Sequence, residues 1–115
     1  MKEKLGIQTL RIIGNPTLKV RRICLESGAP GSDPQIKALQ RPEVDVLLKG
    51  ESPEWETASY VRDAAAEGKQ KALIVLGHVP SEEAGMEECA RWLKTFIKDM
   101  PIEFIAAGES YWRLK

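Results

Sequence analysis

Three times along this chain a short aliphatic stretch runs into a turn of small residues and then into a serine and a proline that suit a helix start. Lys19–Leu25 leads into Ser27-Gly28-Ala29-Pro30-Gly31-Ser32-Asp33-Pro34, Val44–Leu48 into Gly50-Glu51-Ser52-Pro53, and Lys71–Leu76 into Gly77-His78-Val79-Pro80-Ser81. Serine oxygens accept orphan N–H groups at a helix N-cap, and proline is tolerated in the first turn, where its missing N–H has no partner to lose. The repetition therefore predicts strands joined through helices, and such crossovers make the strands parallel.

The rest of the chain extends that pattern. Met1–Gly6 is a charged lead-in expected to fray. Gln8–Ile13 and Lys19–Leu25 flank Gly14-Asn15-Pro16-Thr17, turn chemistry that predicts a β-hairpin. One helix is expected to about Gln40. A second runs from Pro53 to about Glu67, with Gly68 as its left-handed C-terminal residue. The longest helix is expected after Ser81, and its Met86, Cys89, Ala90, Leu93, Phe96 and Ile97 share one face. Pro101 ends it, and 101–106 reads as a last strand at an edge. The expected fold is α/β, a single layered domain over 1–115 with a mixed, largely parallel sheet in the order β-β-α-β-α-β-α-β.

A length of 115 residues suits one core, and 17 basic against 17 acidic residues give no net field to steer the chain to a nucleic-acid polymer or an anionic membrane. The aromatic residues lack the even interleaving with basic ones that a base-stacking platform needs. No apolar run approaches a membrane span and no signal-peptide pattern opens the chain, so a cytoplasmic protein is expected. Cys24 and Cys89 lack metal or redox spacing and read as buried reduced thiols.

In a parallel sheet, the loops leaving the strand C-termini open on one edge, where ligands bind. That edge should gather the only histidine, His78, with Glu82 four residues on and Glu51 on the neighbouring loop. Imidazole and carboxylate together suit zinc, iron or manganese, and a carboxylate-rich remainder would also admit magnesium. The plainer alternative is a hydrogen-bonded surface histidine, with Glu82 placed to favour the helix dipole. Pro80 and Ser81 place His78 before the helix and Glu82 in its first turn. Glu51 is a candidate for a further ligand, a partner of a ligand, or a general base. Ser27, Gly28, Gly31 and Ser32 are candidates for substrate contact, as a loop offering N–H groups to a phosphate, although Pro30 removes one donor.

The run Asp45-Val46-Leu47-Leu48-Lys49-Gly50-Glu51, followed a helix later by Ala72-Leu73-Ile74-Val75-Leu76-Gly77-His78, Ser81-Glu82 and Gly85, resembles the C-terminal part of the GTP cyclohydrolase I type 2-like family. That family is also described as NGG-interacting-factor-three-like, dinuclear-metal-centre toroidal hexamers. The resemblance implies paired α/β layers, a homo-oligomeric ring of six, and two divalent metals, with His78 and Glu82 as ligands. It implies further ligands, a histidine pair and an aspartate among them, in an N-terminal half that this chain would need as a partner. The implied chemistry is metal-dependent hydrolysis of a nucleotide-like substrate. The rival reading is a non-catalytic interaction or oligomerisation domain, with an idle Gly-His loop and assembly through apolar edges and Trp112.

Overall fold

In a computed structural model, residues 1–109 and 111 are described. Trp112 lies outside them. The elements are α1 (Lys2–Leu5), β1 (Arg11–Ile13), β2 (Ile23–Glu26), α2 (Ser32–Gln40), β3 (Val46–Lys49), a π-helical turn (Glu54–Ala58), α3 (Ser59–Ala66), β4 (Ala72–Val75) and α4 (His78–Leu93). The four strands form one mixed sheet in the order β1-β4-β3-β2, with β2, β3 and β4 parallel and β1 antiparallel to β4. An α/β fold with a largely parallel sheet is therefore what the chain adopts.

The core lies between one sheet face and the two crossover helices. Leu47 and Leu73 are cross-strand partners, and they cluster with Val75, Ala38 and Leu39 of α2, and Val61 of α3. Leu39, Leu47, Leu73 and Val61 are fully buried, each worth about 2 kcal/mol of removed apolar surface. Successive residues of a strand alternate faces, so Ile12, Ile74, Leu48 and Leu25 form a row on the other side. Ile12 is 61% and Leu25 65% exposed, so this second face is open at both edges.

The predicted hairpin does not form. The first strand shortens to β1 and pairs with β4, while β2 takes the opposite edge beside β3. Asn15 does make a turn, its side-chain carbonyl accepting from the Thr17 N–H at 2.9 Å, but the link 14–22 then crosses the end of the sheet. Gly14 permits this exit. At φ 123° it lies so close to β4 that a Cβ would fall 2.7 Å from that of Ala72.

The expected last strand is also absent. Residues 101–109 have no regular secondary structure and join no ladder; Ile102 and Phe104 instead face Met86 and Leu93 of α4 across a groove of about 430 Å³. These apolar residues serve a helix surface. The helix ends at Leu93 rather than near Pro101, because the Thr95 N–H and hydroxyl both bond the Trp92 carbonyl, at 3.0 and 2.7 Å, and tighten the chain. Among α4 residues only Ala90 is buried. The Cα radius of gyration, 16.7 Å, exceeds the about 13 Å expected for a compact chain of this length, consistent with α4 and its return segment projecting from the sheet.

Three smaller expectations change. Lys2–Leu5 is a short helix closed by Gly6 at φ 64°, not a frayed lead-in. The helix predicted from Pro53 begins with the π-helical turn, and Gly68 at φ 80° follows its end as expected. Cys24 and Cys89 are free and only partly buried. Among the described residues no helix is long and apolar enough to cross a membrane.

Candidate metal site

The loops leaving β2, β3 and β4 are laced together by backbone hydrogen bonds. The N–H of Gly50 donates to the Glu26 carbonyl at 3.3 Å, that of Glu51 to Gly28 at 2.9 Å, and that of Gly77 to Gly50 at 3.0 Å. Such close approach needs glycine. A Cβ on Gly50 would lie 2.5 Å from the Ser81 hydroxyl and 2.6 Å from the Gly28 carbonyl oxygen, so no side chain fits where the three loops meet. The result is a single edge carrying Gly28, Glu51, His78 and Glu82.

His78 is the first residue of α4, not a loop residue ahead of it. Ser81, read from sequence as the cap, is inside the helix. Its hydroxyl donates to the His78 carbonyl at 2.7 Å and accepts from the Gly28 N–H at 3.0 Å, so the oxygen that would have capped the helix ties it to the β2 loop. Pro80 stands in the first turn, where its missing N–H costs nothing. His78 and Glu82 are consequently an i, i+4 pair on one helical face, which brings Nε2 within 3.0 Å of Glu82 Oε2. The other ring nitrogen, Nδ1, lies 3.0 Å from Glu51 Oε1.

This places the imidazole between two carboxylates, and its chemistry follows from proton counting. A neutral ring has one N–H to donate. With that proton on Nδ1 toward Glu51, Nε2 and the Glu82 oxygen face each other as two lone-pair donors, and something positive must lie between or beside them, a proton or a metal ion. A separation of 3.0 Å is that of adjacent ligands around an ion with bonds of about 2.1 Å. Gly28 keeps the space beside the pair clear, since a Cβ there would collide with Glu82 Oε1 and lie 3.5 Å from His78 Nε2. His78 Nε2 and Glu82 Oε2 are thus the two atoms that could hold a cation together, with Glu51 behind the ring. Among the described residues no three His, Cys, Asp or Glu side chains are grouped to hold an ion.

The remaining candidates are more dispersed. Ser27 and Gly31 are exposed, Gly31 being the N-cap of α2 with φ 87°. Ser32 lies inside α2, and its hydroxyl is held by the Glu56 carboxylate of the π-helical turn. Gly28 alone of this loop is buried against His78 and Glu82.

Two contacts around Glu51 were not legible. Ser52, expected as a helix cap, instead donates to Gln35 Oε1 at 2.8 Å, and Gln35 Nε2 donates to the Glu51 carbonyl at 3.3 Å. The signal that marks Gln35 is its place on the buried stripe of α2 with Ala38 and Leu39, where an amide needs an interior partner.

A family model described as Duf34/NIF3 (NGG1p interacting factor 3) matches residues 1–110. Among solved structures, two crystal structures of Staphylococcus aureus protein SA1388 superpose with TM-score 0.58 at 23% identity, covering 90% of this chain and 36% of that one. A Bacillus cereus protein related to NIF3 superposes with TM-score 0.58 at 16% identity, covering 90% of this chain and 30% of that one. This chain thus spans well under half the length of the solved proteins it matches. No curated protein matches it.

Proposed function

The chain belongs to the Duf34/NIF3 (NGG1p interacting factor 3) family, and from that premise we propose that its loop edge is the C-terminal part of a divalent-metal site serving hydrolysis. The observation that carries the reading is the His78 Nε2 to Glu82 Oε2 pair, 3.0 Å apart beside the side-chain-free Gly28. His78 and Glu82 would hold the ion, which is zinc, iron, manganese or magnesium. A divalent ion so held acidifies water and polarises the bond to be cleaved.

The chain's own residues supply the rest. Glu51 would accept a hydrogen bond from the Nδ1–H of His78 and so leave the Nε2 lone pair pointing outward. Its second oxygen has no hydrogen bond among the described residues, which suits it to serve as the base. Ser27, Gly28, Gly31 and Ser32 are assigned to a nucleotide-like substrate, and Ser32 would exchange its Glu56 partner for it. Completion of a second metal position falls to an N-terminal half, within a homo-oligomer such as a hexamer, in the cytoplasm.

The test is metal content of the purified chain against a His78→Ala, Glu82→Ala double variant. Stoichiometric metal in the wild type that disappears in the variant is expected. Equal background in both overturns the reading.

One observation favours a second reading, an interaction or oligomerisation domain whose Gly-His loop is idle. The row Ile12, Ile74, Leu48 and Leu25 leaves aliphatic surface open on a sheet of a kind that is normally covered on both faces. A second copy of this chain would cover it. Sedimentation velocity should then show dimers or larger species that Leu25→Lys with Ile12→Lys converts to monomer. A strictly monomeric wild type at high concentration overturns it.

A further inference from the structure

Gln35 is fully buried, yet it is a polar residue of the helix beneath the loop edge. Burying an amide costs free energy unless its hydrogen bonds are made, and here both ends are used on one short segment. Nε2 donates to the Glu51 carbonyl, and Oε1 accepts from the hydroxyl of Ser52, the very next residue. With the Glu51 N–H already donating to Gly28, the backbone of Glu51 is held on both sides, leaving its side chain as the part directed to His78 Nδ1.

The backbone of Glu82 is held within α4, whose only buried residue is Ala90, and no buried side chain like Gln35 fixes it; its side chain reaches His78 from the next turn of the same helix. The two carboxylates compete for the single proton of a neutral imidazole, and the one whose position is fixed before the bond forms loses less conformational freedom in making it. The geometry points to Gln35 as a positioning residue: by fixing Glu51 it selects the Nδ1–H tautomer of His78 and leaves Nε2 free to bind an ion. The inference deepens the metal reading above and rests on it for its purpose, but the tautomer itself is present or absent without any metal.

Because His78 is the only histidine, its two ring ¹⁵N resonances are unambiguous. The experiment is a long-range ¹H–¹⁵N correlation spectrum of the metal-free chain in alkaline buffer, with the ring neutral, for wild type, Gln35→Met and Ser52→Ala. Methionine keeps the length and volume of the side chain without its hydrogen bonds. Ser52→Ala removes only the hydroxyl that fixes the amide's orientation, and it decides the matter if Gln35→Met fails to fold. The expected wild-type pattern is protonated Nδ1 and pyridine-like Nε2. In the folded variants the two nitrogens should move toward a mixed pattern, and zinc affinity should fall about tenfold. An unchanged Nδ1–H pattern in a folded variant, or an Nε2–H pattern in the wild type, overturns the proposal. Failure of the wild type to bind zinc, with the tautomer shift intact, overturns the metal reading alone.

Discussion

Gly28 and Glu82 meet with no room for a side chain between them: a Cβ on Gly28 would collide with Glu82 Oε1. The β2 loop and α4 thus close on each other at the point where His78 Nε2 and Glu82 Oε2 lie 3.0 Å apart. Gly28→Ala should push the Glu82 carboxylate aside and lower zinc affinity about tenfold or more. Gly31→Ala is the matched control. Gly31 has φ 87° against 63° at Gly28, but nothing lies within 4 Å of its Cβ position. Both variants should lose stability, on the order of 1–3 kcal/mol, because their positive-φ backbones disfavour a Cβ, and only Gly28→Ala should weaken metal binding in calorimetric titration.

Asp45 closes the start of β3 against the end of the link from β1. Its carboxylate accepts the backbone N–H groups of Arg21 at 2.7 Å and Arg22 at 3.0 Å, and these bonds hold its pKa below the ordinary 3.8. Between the folded and unfolded values the unfolded chain binds more protons, so stability rises with pH there. Asp45 therefore contributes stability that is present above pH 3.8 and lost as pH falls through its lowered folded value. Urea midpoints measured from about pH 5 down to about pH 2 should fall less steeply for Asp45→Asn than for the wild type.

Lys49 is fully buried under the loop edge, with Glu26, its register partner on β2, 3.4 Å away. Burial lowers the Lys49 pKa from 10.5, and the Glu26 charge opposes the shift without cancelling it. The folded state thus releases its proton first, and the stability penalty of the buried ammonium fades as pH rises toward 10.5. Glu26→Gln leaves that ammonium without its counter-charge and should cost about 3 kcal/mol in urea unfolding at neutral pH, whereas Lys49→Met should be near neutral and should abolish the alkaline rise.

The sequence exposed much of this site and misplaced some of its supports. The edge itself was legible because strand, glycine turn and helix start recur locally, and His78, Glu51 and Glu82 fall beside those signals. The partners of β1 and β2 were not, because Gly14-Asn15-Pro16-Thr17 makes a real turn whether the chain comes back beside itself or crosses to the far edge, and only the ladder with β4 decides. Ser52 and Ser81 were recognised as residues whose oxygens matter at a helix start. Their partners, Gln35 and Gly28, are distant in sequence, and a cap signal carries no information about such neighbours. The 101–106 stretch misled because alternating apolar residues suit a helix surface as well as a sheet.

The projection of α4 has a consequence for how the site opens. His78, the first residue of α4, is fastened to the sheet edge through Glu51, while Glu82 lies a turn further along this helix, whose only buried residue is Ala90. Elements with so little buried surface open at lower free energy than core strands, so the amides of α4 should exchange with deuterium well before those of β3 and β4. When the helix frays toward its N-terminus, the glutamate leaves and the histidine stays. Whatever cation the two share would escape at the rate of a local unfolding event, and bound metal would in turn slow the exchange of α4.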